Sequence, residues 1–353
     1  MQTTKIENKI HELVRKAETD YISGTTQISE FVDVSLYDDI NKIEAYLHSK
    51  FESGDKDSLD RDKPFFNIVL AARNIWFRAT DIDRKNIRVK ATKMSDTIKS
   101  FLATCHLQNF MRKGNFGQFL NDWGLTLASY GSAIVKFIEK DGELEKMVVP
   151  WNRVIVDAID FDQNPVIEII ELTPAQLKQR KGYDKEIVDK LLDSVSNRTN
   201  IRGENKDNKS DYIKLYEVHG NLPLSYLTGK DKDEDEYVQQ MHIITFVEGK
   251  KRGEFDDYTL YSGREKKNPY MITHLLKEEG YTLGVGAVKN LFEAQWMVNH
   301  SIKSIKDYLD IISKLVFQTA DPNFANQNVL SAIESGDILV YDAIKSPNGI
   351  NQI

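Results

Sequence analysis

The sequence predicts an α+β protein, and three observations carry that prediction. Residues 4 to 130 contain a succession of apolar-faced helical repeats. Several segments between 132 and 262 alternate apolar and polar residues at the period of a strand. Gly284 to Phe317 keeps a helical apolar repeat with no proline and no glycine after Gly286.

Taken in order, residues 4–22 form an amphipathic helix, with Ile6, Ile10, Leu13, Ala17 and Tyr21 on one face and Thr3 or Thr4 as cap. A second helix runs from Leu36 to Phe51, with Ile40, Ile43, Tyr46 and Leu47 inward. After a polar loop (52–63), Pro64 opens a strongly apolar helix, since proline's missing N–H costs nothing in the first turn. Ile87–Ala91 reads as a short strand, and helices follow over about 95–109 and 113–130, the second ended by Gly131. Asp141-Gly142 between alternating apolar runs predicts a hairpin, Ser132–Glu139 with Leu144–Val149. Further strands are expected at Arg153–Val156 and Val166–Leu172. Thr173-Pro174 starts a helix that breaks at Gly182 and resumes to Val195. Residues 196–211 read as loop. Tyr212–His219, Gln239–Glu248 and Tyr258–Ser262 are strands of a β-rich, loop-rich module. Asn326–Ser335 is a short helix, and Asp337–Tyr341 the last strand. With nothing after it to pair or cover it, that strand suggests a fragment of a longer protein.

The 353 residues suggest two or three domains. The net charge of −7 argues against a general polyanion-binding surface, because such proteins are usually basic. The one cysteine, Cys105, excludes an internal disulfide and a cysteine zinc site, and its apolar neighbours place it in a core. No two of the seven histidines sit at metal-ligand spacing on a helix, so no metal or cofactor is expected. No apolar run reaches membrane-spanning length and the N-terminus is no signal peptide, which predicts a soluble protein made in a cytoplasm.

The long repeat forms a seam of Val288, Leu291, Gln295, Val298, Ile302, Ile305, Leu309, Ile312 and Val316 at alternating spacings of three and four. One helix of about 32 residues would span ~48 Å. Lys289, Lys303, Lys306 and Lys314 lie off the seam among Glu293, Asp307 and Asp310, either pairing with those acids or facing a lumen. Lys250, Lys251 and Arg252, with Arg264, Lys266 and Lys267, form basic clusters that are either solvated hairpin tips or contacts for DNA or a protein partner.

Catalytic signatures are missing. Gly284-Val285-Gly286 precedes a helix but lacks the third glycine and the ribose-binding acid of a dinucleotide loop, so it reads as a turn. Acidic pairs such as Asp81/Asp83 and Asp256/Asp257 read as solvated surface.

The order of parts resembles the portal, or head–tail connector, proteins of tailed double-stranded DNA bacteriophages. Three stretches carry the resemblance: 127–156, with its D-G hairpin and P-W-N-R-V; 268–299, with a glycine pair and then Leu291, Gln295 and Asn299 on successive turns; and A-I-E-S-G-D-I-L-V-Y at 332–341. The resemblance covers roughly residues 60–345. It implies a portal-like α+β fold: a helical wing with a small sheet over 1–172, a first stem segment over 173–195, and a β-rich clip over 196–280. A second stem helix would follow over 281–318. A tunnel loop, short helix and returning wing strand would occupy 319–353, without the crown.

The resemblance implies a non-enzymatic virion protein, made in the bacterial cytoplasm, that forms a homo-oligomeric ring of roughly twelve subunits. Double-stranded DNA would pass through it without sequence specificity. The terminase large subunit, the head-completion and tail adaptor proteins and the major capsid protein would be its partners. Asn323, Asn326 and Gln327 of the tunnel loop, with Lys303 and Lys306, would face DNA. Lys250, Lys251, Arg252, Lys266 and Lys267 would serve clip contacts. Two other classes compete: a cytoplasmic coiled-coil adaptor using the same long helix, and an enzyme, which a deep pocket with converging titratable groups would indicate.

Overall fold

The computed structural model describes residues 3–56, 60–79, 82, 86–140, 143–201, 212–230, 233–248, 255–313, 317–319 and 338–340. In chain order these residues form α1 (Thr3–Ser23), β1 (Thr26–Ser29), β2 (Val32–Val34), α2 (Leu36–Leu47) and α3 (Ile68–Ala79). Next come α4 (Thr97–Lys113), α5 (Phe116–Tyr130), β3 (Ser132–Lys140), β4 (Glu143–Val149), β5 (Val154–Ile155) and β6 (Val166–Leu172). They are followed by α6 (Pro174–Gln179), α7 (Lys185–Ile201), β7 (Ile213–Pro223), α8 (Ser225–Thr228), β8 (Tyr237–Glu248), β9 (Phe255–Arg264) and β10 (Tyr270–His274). The remaining elements are α9 (Ala287–Asn290), α10 (Phe292–Ile312), β11 (Phe317–Thr319) and β12 (Ile338–Val340). The mixture of helices and sheets is that of the α+β class. Among the described residues no helix is long and apolar enough to cross a membrane.

The chain divides into two compact units. One holds Met1–Leu47 with Val69–Asn290; the other holds His48–Ile68 with Leu291–Ile353. In the first, a five-stranded antiparallel sheet runs in the order β5-β6-β7-β8-β9. Strand alternation sends Ile213 and Leu215 to one face, where Leu177, Val188 and Leu191 of α6 and α7 cover them. Tyr216, Val218 and Ile244 go to the other face, against Ile10 and Val14 of α1. A second antiparallel sheet, β10-β3-β4, contains the expected hairpin in the register Ile134↔Val149 to Lys140↔Glu143. Thr173 caps α6 in a reciprocal capping box with Gln176, as its position before Pro174 foretells. Gly131 ends α5 at φ 76°, where its N–H bonds Leu127 O.

Several expectations change. Strands placed in the wing (β5, β6) and in the clip (β7, β8, β9) belong to one sheet, so the boundaries at 172 and 196 do not separate packing units. α7 continues past Val195 to Ile201. Ile87–Ala91 is not a strand: Val89 N–H donates to Thr104 Oγ1 and Val89 O accepts from it, so a side chain of α4 takes the place of a ladder. Cys105 is exposed rather than core, as are Ile98, Phe101 and Leu102 of the same helix. β10 was not expected; it completes the small sheet by pairing with β3.

The second unit corrects the long helix. Gly284 to Phe317 is not assigned as one helix. α9 ends at Asn290, Leu291 makes a turn, and α10 ends at Ile312. No proline or glycine marks the break at Leu291, and nothing in the local sequence accounts for it. At the far end Phe317–Thr319 is strand, pairing in parallel with Ile338–Val340. The last strand therefore does have a partner, and the Val316-Phe317 run supplies the β-branched and aromatic residues that favour a strand over a helix. The expected tunnel loop and short helix, 320–336, lie outside the described residues.

Candidate functional site

The seam read from the sequence divides into three parts. Val288 is fully buried in α9, in the first unit. The glycines before it are a packing device: a Cβ on Gly284 would lie 2.5 Å from Gly131 O, and one on Gly286 would lie 2.3 Å from Ser129 O. Backbone meets backbone there, and Gly284 N–H donates to Ser132 Oγ at 2.6 Å. This close approach explains the glycine pair without any nucleotide.

The first half of α10 is closed by its own unit. Gln295 and Asn299 are buried. Gln295 Nε2 donates to Phe66 O at 2.7 Å, and its Oε1 accepts from Ile68 N–H at 2.9 Å. Asn299 Oδ1 accepts from Phe66 N–H at 3.0 Å and from Gln295 Nε2 at 3.0 Å. Two neutral amides thus fix the backbone of 66–68, where Ile68 N–H also bonds Phe66 O at 3.0 Å. Pro64 consequently does not open a helix; α3 starts at Ile68, whose first-turn N–H is satisfied by Gln295. Leu291, Val298 and Ile302 are half-buried beside this clamp.

The second half of α10 is open. Ile305, Leu309 and Ile312 are 58%, 56% and 51% exposed, and Tyr308 beside them is 58% exposed. Lys306 is exposed and Lys303 half-buried on the flanks. Asp307 meets Arg61, not one of the flanking lysines, at 3.4 Å within the same unit, and Lys289 of α9 meets Glu278 at 2.7 Å in the first unit. Trp296 stacks on His300 one turn along, with centroids 5.3 Å apart. Val316, Asn323, Asn326 and Gln327 lie outside the described residues, as do Lys250, Lys251 and Arg252. Lys266 and Lys267 are exposed directly after β9.

Sequence reasoning missed a buried polar cluster in the first unit. Glu168 of β6 and Glu217 of β7 face each other directly across the large sheet. Two like charges in that position repel. Lys136 of β3 lies against both, its Nζ 2.6 Å from Glu168 Oε2 and 2.8 Å from Glu217 Oε1. Tyr270 of β10 donates to Glu168 Oε2 at 2.6 Å. His219 has Nε2 2.7 Å from Glu217 Oε1 and Nδ1 2.7 Å from Glu265 Oε2. Burial pushes Glu217 up, but the His219 hydrogen bond and the Lys136 charge outweigh it and hold the carboxyl at about 2. Burial opposes a charge on His219, yet its bonds to Glu217 and Glu265 raise it above the ordinary value. Burial drives the Tyr270 phenol well up, and Glu168 adds to that.

These groups line a cleft of about 560 Å³ whose rim includes Arg153, Arg180, Lys181 and Tyr183. Titratable groups therefore do converge on a pocket, but Lys136 Nζ and both His219 nitrogens are spent on partners inside the cluster. The arrangement joins two sheets. Its signal was in the sequence: Lys136, Glu168, Glu217 and His219 each interrupt an apolar strand at a position the alternation turns inward.

No family model matches the chain, and no curated protein matches it.

Proposed function

We propose that this chain is a portal-like subunit of a tailed phage, which assembles side by side into a ring and conducts double-stranded DNA without catalysing a reaction. The single observation that supports this most is the open half of α10. Ile305, Leu309 and Ile312 stand exposed in one row at spacings of four and three, while the polar seam residues are engaged within the unit. A row of that kind gains free energy by packing on a neighbouring helix. The resemblance in the order of parts supplies the rest of the reading. In the virion the ring would receive DNA from the terminase large subunit, contact the major capsid protein, and later carry head-completion adaptors. Lys266 and Lys267 would serve those contacts.

Native mass measurement of the full-length protein tests the proposal. A species of roughly twelve subunits with a central channel in electron micrographs is expected. A dimer would favour the coiled-coil adaptor instead, and a strict monomer at high concentration would count against both.

A further inference from the structure

His219 carries a constraint that its geometry alone imposes. Both ring nitrogens lie 2.7 Å from carboxylate oxygens, Nε2 from Glu217 and Nδ1 from Glu265. Ionised carboxylates only accept hydrogen bonds, and a neutral imidazole has only one N–H to give. Both contacts can be hydrogen bonds only when the ring is an imidazolium. The groups around it fit that state. Glu217 sits on its own strand, Glu265 follows β9, and Glu168 projects from β6. Lys136 from β3 touches two of these carboxylates, Arg153, Arg180 and Lys181 line the same cleft, and the Tyr270 ring of β10 packs edge-on against His219 at 5.2 Å. From β8 comes His242, which burial and then the neighbouring histidines hold down at about 4, so that it stays uncharged beside His219. Tyr183 and Tyr261 also line the cleft.

The two carboxylates differ. Glu217 is 9% exposed and also bound to Lys136, whereas Glu265 is 20% exposed and lies past the end of its strand. When the ring loses its proton, one contact must fail, and Glu265 is the one free to leave.

We propose that His219 and Glu265 form a proton-operated latch in the cleft between the two sheets, closed when the imidazole is protonated and released when it is not. The latch belongs to the first unit and does not depend on assembly. Its sign follows from the raised His219 value: the contribution is complete below the ordinary 6.5 and is lost as pH rises through the raised value.

The test pairs an NMR titration of the His219 ring with hydrogen exchange at the Glu265 amide, which donates to Gln239 O at 2.9 Å. The full-length protein should show an imidazolium at neutral pH. Protection of that amide, corrected for intrinsic exchange, should fall by up to roughly tenfold per pH unit across the titration. Glu265→Gln, at a partly exposed site that tolerates the change, should lower the pH at which His219 titrates and flatten the protection profile. His219→Gln should flatten it too if the variant folds. A ring that titrates at or below the ordinary value, or protection that is independent of pH in the unaltered protein, would overturn the latch.

Discussion

The two halves of α10 differ in what covers their seam residues. Around Gln295 and Asn299 every named polar atom has a partner inside the unit, and these two side chains are buried, although Trp296 and Met297 on the other face of the helix are exposed. From Ile305 to Ile312 the same repeat continues, but its apolar side chains meet solvent. A single periodic stripe is thus divided between polar seam residues bonded within the unit and apolar ones that stand exposed. Periodicity reports that a face is apolar; it does not report whose atoms will cover it.

This contrast makes a rule that substitutions can break. Changes at internally completed positions should cost folding stability and leave association intact. Changes on the open half should do the reverse. The largest stability loss is expected for Lys136→Met. It leaves Glu168 and Glu217 opposed and buried without the ammonium that they share, at a cost of about 3–5 kcal/mol in urea unfolding. Acid should produce a comparable loss without mutation. Glu217 is held at about 2 against an ordinary 4.5, so its contribution is present above 4.5 and disappears as pH falls toward 2, roughly 3 kcal/mol in all. Thermal melts between pH 5 and pH 2 should show it, and the Lys136→Met protein should show less of it.

Gln295→Leu comes next. It strands the Phe66 carbonyl and the Ile68 amide, for about 1–3 kcal/mol, with the oligomer unchanged. Thr173→Ala removes a helix cap and should cost about 1 kcal/mol in the same assay. Ile305→Asp should be the smallest of all on folding, within about 0.5 kcal/mol, because the side chain is already in water. If it destabilised the fold as much as Gln295→Leu does, the open half would be a covered one and the contrast would fail.

Local chemistry made much of the fold legible. The hairpin at 132–149, the capping box at Thr173 and the Gly131 stop follow from backbone rules that act over a few residues. Long-range competition overrode local preference elsewhere. Pro64 lost to the amides of Gln295 and Asn299, which are more than 200 residues away in sequence, and Val89 lost its strand to Thr104. The length of the helix from Gly284 was overread because apolar spacing cannot register a turn at Leu291. The cluster around Lys136 was visible only as charges on inward strand positions, and no local rule says that β3, β6 and β7 will bring those charges together.

The open half of α10 is proposed as an assembly surface. Analytical ultracentrifugation of the full-length protein beside its Ile305→Asp variant tests it most directly. A large homo-oligomer of roughly twelve subunits is expected, falling to monomer in the variant, while both melt at the same temperature. An unaltered protein that stays monomeric at high concentration, or a variant that assembles as well as the parent, would contradict it.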